Sequence, residues 1–281
     1  MVSERLRCRV GCRLSYDVVE ANTFIFNVAP ISSERQTPES ESLRLEPDLA
    51  REEFRSSLGN RFLRLHAPPG RLDLQYEATV RIDPLWREGE SLVEVPPAKL
   101  PMEVLPFINP SRYCPSDRLL NLVQREFGWT APGFPRVRAI SDWVGAHLEY
   151  APGFSDQHTA ANDSLVSRRG VCRDFAHLAI ALCRAMNIPA RFVSVYAYGL
   201  PMVDFHACFE AYLGDGWYVF DPTGQAQMST LVRIGTGRDA ADVSFATIFG
   251  WAQMSFMEVS VEVEGPVPVV APLAAGTWAD L

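Results

Sequence analysis

The chain has 281 residues, which is enough to bury one large hydrophobic core or two of medium size. Its 26 basic and 34 acidic residues give a net charge of −8, so neither nucleic acid nor an anionic membrane is an expected partner. The amino-terminal segment lacks the apolar stretch of a signal peptide, and no run of residues is apolar enough to span a membrane. The six cysteines have neither zinc-finger spacing nor the density of a disulfide-stapled secreted domain. These features predict a cytoplasmic protein with free thiols and with no cofactor or metal.

The first third of the chain alternates between apolar and polar residues in the way that half-buried β-strands do. Between Leu6 and Val18 nearly every second residue is apolar, and residues 71–83 repeat the pattern. Shorter candidate strands lie at residues 23–29, 42–45 and 61–66. We therefore predict an amino-terminal antiparallel β-sandwich, followed at residues 84–115 by a proline-rich crossing. The predicted domains are a β-rich domain at residues 1–100, a second domain at 101–265 and a loose surface tail at 266–281.

The second domain combines helices with strands. Helical periodicity covers residues 116–128, 135–150 and 172–186, and strands are predicted at residues 190–198, 204–213, 217–221, 230–235 and 253–264. Gly214-Asp215-Gly216 predicts a hairpin between the second and third of these strands. The fold class is therefore α+β.

Cys172 lies at the entrance of the third helix, just after Arg168, Arg169 and Gly170. Helix N-termini and nearby cations favour the thiolate form of cysteine, which is the nucleophile. Cys183, in contrast, lies in the apolar stripe of the same helix, where cysteines usually pack. On position alone, Cys172 is equally consistent with a reactive thiol and with a small residue packed at a helix start.

A reactive thiol needs a base, and five histidines are available. His206 lies on the more polar face of its strand, together with Cys208. If Leu213 pairs with Gly216 across the turn, Asp221 falls opposite Cys208 and becomes a diagonal neighbour of His206 on the same face. A cysteine, a histidine and an acid that orients the imidazole form the arrangement that thiol acyl chemistry requires.

The other four histidines are weaker candidates for the base. His177 lies about 140° around the helix from Cys172, so we expect it to pack rather than react. His147 adjoins an apolar helical stripe, and His66 belongs to the β domain. His158 could border a pocket, but nothing in the sequence orients it. His206 is therefore the predicted base.

Two segments, "GVCRDFAHLAIALCRAMNIPARFVSVY" and "FHACFEAYLGDGWYVFDPT", resemble the core of the transglutaminase-like superfamily, in particular its bacterial branch of cysteine proteases. The family pattern is a helix-start cysteine in G-x-C, a strand histidine in H-A-x-x-E and an aspartate in D-P-T. Cys172, His206 and Asp221 match it in order, within residues 165–223. The amino-terminal β segment is similar, less specifically, to the domain that often precedes this core in bacterial members. The resemblance implies a papain-like α+β core in which the cysteine helix packs on an antiparallel sheet.

The resemblance also implies thiol-dependent acyl transfer on an amide bond. Cys172 would attack the carboxamide carbon, His206 would protonate the departing amine, and Asp221 would orient the imidazole. The Cys172 backbone N–H is an expected donor to the oxyanion, and Gln157 or Asn162 could supply the second donor. Protease, amidase and cross-linking activities stay open, with a peptide, a protein or a small amide as substrate.

Cys208 departs from the commonest family pattern, which has an aromatic residue two positions after the histidine. We therefore expect an altered pocket wall. Asp174, in the first helical turn, is expected to complement the helix dipole. Arg238, which precedes Asp239 after a Gly-Thr-Gly turn, either borders the substrate cleft or forms an exposed local ion pair. Arg168 and Arg169 either flank the thiolate or are solvated loop charges.

Two other functional classes stay open. The chain could be a catalytically silent scaffold whose β domain binds a partner, although the three matched motif residues argue against this. It could also bind a metal ion, although no pair of candidate ligands has C-x-x-C or H-x-x-x-H spacing. The candidate ligands are Cys172, His177, Cys183, His206 and Cys208.

Overall fold

The computed structural model describes residues 5–270 and 274–277. The amino-terminal part forms β1 (Leu6–Val18), β2 (Asn22–Phe26), β3 (Gln36–Glu46), β4 (Arg51–Arg55), β5 (Arg61–Ala67), β6 (Gly70–Ile82) and β7 (Leu85–Glu88). The elements that follow are α1 (Leu120–Phe127), α2 (Phe134–His147), β8 (Glu149–Tyr150), α3 (Ala161–Ser167), β9 (Arg169–Gly170), α4 (Cys172–Ala185), β10 (Ala190–Tyr196), β11 (His206–Leu213), β12 (Gly216–Phe220), β13 (Val232–Gly237), β14 (Ala246–Phe249), β15 (Ala252–Glu264) and β16 (Ala274–Thr277). Within the described ranges, no helix is long and apolar enough to cross a membrane.

Two antiparallel four-stranded sheets, which we call the β unit, share one hydrophobic core. Their strand orders are β15–β1–β6–β3 and β14–β2–β5–β4. Alternation along β1 turns Tyr16 toward the second sheet, where its ring lies 5.2 Å from that of Phe24 and 5.9 Å from that of Phe26. The predicted amino-terminal antiparallel β domain is confirmed.

Two strands of the β unit come from much later in the chain than its other strands. β14 pairs with β2, and β15 pairs with β1 along almost its whole length. The sequence indicates a strand at residues 253–264 but places it in the second domain, because alternation reveals a strand without revealing a distant partner. The domain limits at residues 100 and 265 stay a prediction, since strand pairing does not show which segments fold independently.

The second sheet system, the core sheet, has six strands in the order β13–β10–β11–β12–β16–β7. The predicted α+β class is confirmed, since α4 packs across β10 and β11.

The prediction of a loose tail is wrong for residues 274–277. These residues form β16, which pairs with β12 and β7, and both Ala275 and Thr277 are buried. Residues 271–273 and 278–281 of the predicted tail lie outside the described residues.

The body of α4 is buried from Asp174 to Arg184. Ala176, Ile180 and Cys183 lie in a hydrophobic core that also contains residues of β11. Cys172 and Arg173 at its start and Ala185 at its end are partly exposed. The fold therefore leaves the amino-terminal end of α4, with Cys172, accessible to solvent and buries the body of the helix.

Side-chain amides of the β unit cover the outer edge of β13. Gln36 donates to the Arg233 carbonyl at 2.8 Å and accepts from the Arg233 N–H at 2.7 Å. Asn60 makes the same pair of bonds with Thr236, both at 2.8 Å. These amides satisfy backbone groups that an edge strand otherwise leaves unpaired, and they join the β unit to the core sheet.

A buried ion cluster ties together three strands of the core sheet. Glu210 of β11 is fully buried and lies 2.6 Å from the Arg191 side chain of β10 and 3.3 Å from that of Arg233 of β13. Burial raises the pKa of Glu210, but the two guanidinium groups outweigh it and the net pKa is lowered. The carboxylate is therefore ionised and compensates two buried positive charges.

Replacing this carboxylate should destabilise the protein strongly. Glu210→Gln leaves two buried guanidinium groups without their counter-ion, and we expect the free energy of unfolding to fall by about 3–5 kcal/mol. Urea unfolding measures the loss. Glu258→Gln is the matched control, since its ion pair with Arg13 is exposed and the variant should unfold almost as the wild type does. Equal midpoints for the two variants would contradict the structural role of the cluster.

Candidate active site

Cys172 is the first residue of α4, and the chain before it is shaped to start the helix there. The Asp174 carboxylate, which is fully buried, accepts a hydrogen bond from the Val171 N–H at 2.8 Å. Gly170 gives this carboxylate room, since a Cβ at position 170 would lie 2.5 Å from the Asp174 Cβ. Asp174 thus places a negative charge at the helix N-terminus, which complements the dipole. Cys172 itself stays partly exposed.

His206 and Asp221 lie on one face of the β11–β12 hairpin. The pairing of Leu213 with Gly216 continues to Phe209 opposite Phe220, which is the register that the sequence predicts. Asp221 follows directly after β12, and its Oδ2 lies 3.1 Å from Nε2 of His206. Both side chains are only 2 % exposed. The structure therefore brings the predicted histidine and acid together in a nearly solvent-free position.

The turn after β12 holds the Asp221 carboxylate in place. Oδ1 accepts hydrogen bonds from the Thr223 backbone at 3.0 Å and from the Thr223 hydroxyl at 2.8 Å. Oδ2 accepts a hydrogen bond from the Ala226 N–H at 3.0 Å. Thr223 of the D-P-T motif and Ala226, three residues further on, therefore supply the donors that orient the aspartate.

Electrostatics favour a charged pair at this contact. Burial raises the pKa of Asp221, but contact with His206 and the hydrogen bonds from Ala226 and Thr223 outweigh it, and the net pKa is lowered. Burial lowers the pKa of His206, but Cys208, Asp221 and Cys172 oppose it, and the net pKa is raised. Asp221 is the counter-charge that acts at neutral pH, because burial raises the pKa of Cys208 to about 12 and keeps that thiol protonated. The imidazolium form of His206 is therefore stabilised.

The thiol of Cys172 completes the cluster, because it lies close enough to the His206 side chain to raise the pKa of that group. Since Nε2 faces Asp221, Nδ1 is the nitrogen left to serve a thiol. The structure thus joins a partly exposed sulfur, an imidazole and a carboxylate in sequence. This chain of contacts has the geometry of a nucleophile, a base and an orienting acid.

Cys208 lies beside the cluster and is fully buried. Its sulfur, a nitrogen of His206 and a carboxylate oxygen of Asp221 lie within 4.8 Å of one another. The larger predicted set of metal ligands does not form in the described part of the chain. His177 accepts a hydrogen bond from the Ala240 N–H at 3.1 Å, and Cys183 is packed inside α4.

His177 packs inside the protein, in line with its place on the helix. Its ring stacks on Tyr113 with centroids 5.0 Å apart and lies 5.2 Å from that of Phe192. Burial, Arg173 and Arg184 lower the pKa of His177 well below its usual value. The ring is therefore neutral, and it supports the helix rather than the thiol.

The contacts of Gln157 and Asn162 run to neighbours other than Cys172. Gln157 accepts a hydrogen bond from the Tyr113 hydroxyl through its backbone carbonyl at 2.7 Å, and its side chain lies 3.4 Å from His158. The Asn162 amide lies 3.4 Å from Asp163. A role for either residue as oxyanion donor stays a prediction.

Arg238 pairs with Asp242 rather than with the adjacent Asp239. Two nitrogens of Arg238 lie 3.0 and 3.1 Å from the Asp242 carboxylate. Asp239 is buried instead and accepts a hydrogen bond from the Tyr113 N–H at 2.9 Å. Arg169 forms an exposed ion pair with Glu149 at 3.0 Å. A contribution of Arg238 to substrate binding stays a prediction.

Two further residues lie near the cluster but gave no signal in the sequence. Tyr150 falls within the predicted helix 135–150, yet α2 ends at His147, and the Tyr150 hydroxyl lies close to Cys172, whose thiol helps to raise its pKa. A Cβ on Gly145 of α2 would lie 2.6 Å from the Pro222 carbonyl oxygen, next to Asp221. Both contacts depend on how distant segments pack, which local residue patterns do not reveal.

Comparison with known proteins agrees with this geometry. Residues 121–222, which include all three clustered side chains, match the model of the "Transglutaminase-like superfamily", and residues 6–103 match "Bacterial transglutaminase, N-terminal domain". A crystal structure of a "Putative Cysteine Protease" from Cytophaga hutchinsonii is 40% identical in sequence, with a TM-score of 0.94 over 98% of each chain. The chain belongs to the transglutaminase-like superfamily. The predicted transglutaminase-like core is confirmed.

Mycobacterial relatives of this transglutaminase-like protein are more distant. The uncharacterized protein ML0607 of Mycobacterium leprae is 31% identical over 168 residues, which span 56% of this chain and 59% of the relative. The chain thus aligns with less than two thirds of that relative. The uncharacterized protein Rv2569c of Mycobacterium tuberculosis is 28% identical over 291 aligned positions, which cover 92% of each chain.

Cys172 should be the most reactive thiol of this transglutaminase-like protein. It is partly exposed, whereas the other five cysteines are buried. Burial raises the pKa of Cys8, Cys12, Cys114 and Cys208 to about 12 and that of Cys183 further still. Iodoacetamide labelling of the folded protein at pH 7, read by peptide mass spectrometry, should therefore modify Cys172 first. Denatured protein is the control and should label at all six positions, and equal labelling in the folded state would contradict the prediction.

Proposed function

We propose that this transglutaminase-like protein cleaves amide bonds in peptides or proteins through a cysteine thioester. The observation that carries the proposal is the contact chain from Cys172 through His206 to Asp221. It places a partly exposed sulfur at a helix N-terminus, beside an imidazole whose other nitrogen lies 3.1 Å from an oriented carboxylate. Nucleophilic acyl transfer needs these three groups in this order.

In the acylation step, the Cys172 sulfur attacks the amide carbonyl carbon and forms a carbon–sulfur bond. The proton of the thiol resides on His206, whose imidazolium form is stabilised by Asp221. When the tetrahedral intermediate collapses, the carbon–nitrogen bond breaks and His206 transfers that proton to the leaving amine. The products of this step are a free amine and a thioester at Cys172.

In the deacylation step, water replaces the departed amine. His206 takes a proton from the water as its oxygen attacks the thioester carbon. The carbon–sulfur bond then breaks, a carboxylic acid is released, and the proton stays on His206 beside the Cys172 thiolate. The site therefore ends the cycle in its starting state, and no cofactor takes part.

Hydrolysis is the outcome we favour over transfer to a second amine. The support is the similarity to the "Putative Cysteine Protease" of Cytophaga hutchinsonii, which extends over nearly the whole chain. Transamidation differs only in the acceptor, since an amine would replace water in the second step. Product analysis with and without added glycine ethyl ester separates the two outcomes.

We also propose that the protein works in a reducing compartment, the cytoplasm. All six cysteines are free thiols, and Cys172 must stay reduced to attack a carbonyl. A fusion to a reporter that is active in only one compartment tests this assignment. Activity of a reporter confined to an oxidising compartment would contradict it.

The three clustered residues should act as a unit in turnover. We expect Cys172→Ala to abolish thioester formation and His206→Ala to lower kcat/KM by about 10⁴-fold or more, because the imidazole serves both steps. Asp221→Asn should cost less than His206→Ala, because it disturbs orientation and not the reacting atoms. Intact-protein mass spectrometry with an amide and peptide substrate library measures the trapped thioester.

His158→Ala is the matched control for these variants, since His158 is an exposed loop residue and its loss should leave kcat/KM unchanged. The combined variants should be far from additive. Wild-type protein that alkylates normally at Cys172 but forms no thioester with any substrate would contradict the proposal. That result would favour the silent-scaffold alternative.

Crowding at Gly145 should reduce turnover without unfolding the protein. Gly145→Ala places a Cβ 2.6 Å from the Pro222 carbonyl oxygen, so the turn that carries Asp221 must shift. Small displacements of oriented groups cost up to about 100-fold in rate, and we expect kcat/KM to fall by about 10–100-fold. Ala146→Ser, at the next position in α2, is the control and should keep wild-type turnover. Full activity of Gly145→Ala would show that the turn tolerates the displacement.

A further inference from the structure

Tyr150 is held beside the start of α4 by a short parallel strand pair. β8 and β9 pair so that Tyr150 lies opposite Gly170, two residues before Cys172. The Glu149 N–H donates to the Arg168 carbonyl at 2.9 Å, and the Ala151 N–H donates to the Gly170 carbonyl at 2.8 Å. These bonds on both sides of Tyr150 fix its backbone to the segment that leads into the helix.

The side chain of Tyr150 reaches across the helix entrance. Its ring lies 5.9 Å from that of Phe175, one helical turn after Cys172. Its hydroxyl lies close to both the backbone N–H and the thiol of Cys172. Burial, together with the nearby thiol, raises the pKa of Tyr150 to about 12, so the phenol keeps its proton at neutral pH. Tyr150 is thus a proton-bearing donor next to the nucleophile.

The backbone N–H of Cys172 is another hydrogen-bond donor near this hydroxyl. The first N–H groups of an α-helix have no acceptor within the helix, and Cys172 is the first residue of α4. In the free protein, this N–H lies close to the phenol oxygen. When a substrate carbonyl enters, its oxygen can accept hydrogen bonds from both this N–H and the phenol O–H.

We propose that Tyr150 donates the second hydrogen bond to the oxyanion that forms when Cys172 attacks a carbonyl, with the Cys172 N–H as the first donor. This inference rests on the proposed function. As the carbonyl carbon becomes tetrahedral, negative charge moves onto its oxygen, and two aligned donors stabilise it without any proton transfer. The phenol is present in both acylation and deacylation, since each passes through such an intermediate.

The experiment compares Tyr150→Phe with the wild type on a hydrolysed peptide or ester substrate. We expect kcat to fall by about 10²–10³-fold with little change in KM, as for the loss of one oxyanion donor. Alkylation of Cys172 by iodoacetamide should keep its wild-type rate, because displacement of iodide creates no oxyanion. Tyr198→Phe is the matched control, since Tyr198 is 39% exposed compared with 37% for Tyr150. That control should keep wild-type turnover.

A second measurement separates an oxyanion contact from a structural effect. A thionoester substrate replaces the carbonyl oxygen with sulfur, a weaker hydrogen-bond acceptor. Wild-type protein should strongly prefer the oxygen ester, and Tyr150→Phe should lose most of that preference. A general distortion of the site would slow both substrates equally and leave the ratio unchanged.

Three outcomes would overturn the inference. Turnover of Tyr150→Phe within about twofold of the wild type, or an unchanged ester-to-thionoester ratio, would exclude a donor role. Faster alkylation and faster turnover would show instead that the phenol blocks the thiol. Absence of turnover in the wild type would remove the proposed function itself, and it is recognised before any variant is compared.

Discussion

The register of the β11–β12 hairpin is the constraint on which the site depends. Side chains alternate between the two faces of a strand, so a shift of one residue would carry Asp221 to the face away from His206. The turn Gly214-Asp215 prevents that shift by pairing Leu213 with Gly216. Gly214 has a φ of +60°, which most residues avoid and glycine adopts readily. A tight turn at one end of the hairpin thus determines the chemistry at the other.

The Asp221 carboxylate is held by hydrogen bonds from its own turn, in addition to its contact with the imidazole. A buried carboxylate without partners is costly, but three donors from its own turn already satisfy it. The acid therefore stays oriented whether His206 is neutral or protonated. His206 can change its protonation state during a reaction cycle while the carboxylate keeps its place.

The site could be predicted from the sequence where its contacts are local, and not where they are distant. His206 and Asp221 are joined by a short hairpin, so alternation and turn chemistry were sufficient to pair them. Cys172 could be singled out because a helix start has its own sequence pattern. Tyr150 could not be singled out, since a two-residue parallel strand has no recognisable periodicity. The apolar pattern of the preceding helix also continues as far as residue 150. The partner of Arg238 was missed because an adjacent acid and one four positions on look equally suitable in a sequence.

The pairing of β15 with β1 has a consequence for the order in which the chain is made. A growing polypeptide usually folds its amino-terminal domain first, as that part leaves the ribosome. Here β1 lacks one neighbour until residue 264 has been synthesised, by which time the chain from β7 to β13 of the core sheet has also been made. Until then, thirteen residues of β1 present an open strand edge, which is a site for pairing with other nascent chains. Ribosomes that translate the same message close together would therefore expose matching edges, and the interval between synthesis of β6 and of β15 is when the cell must keep them apart.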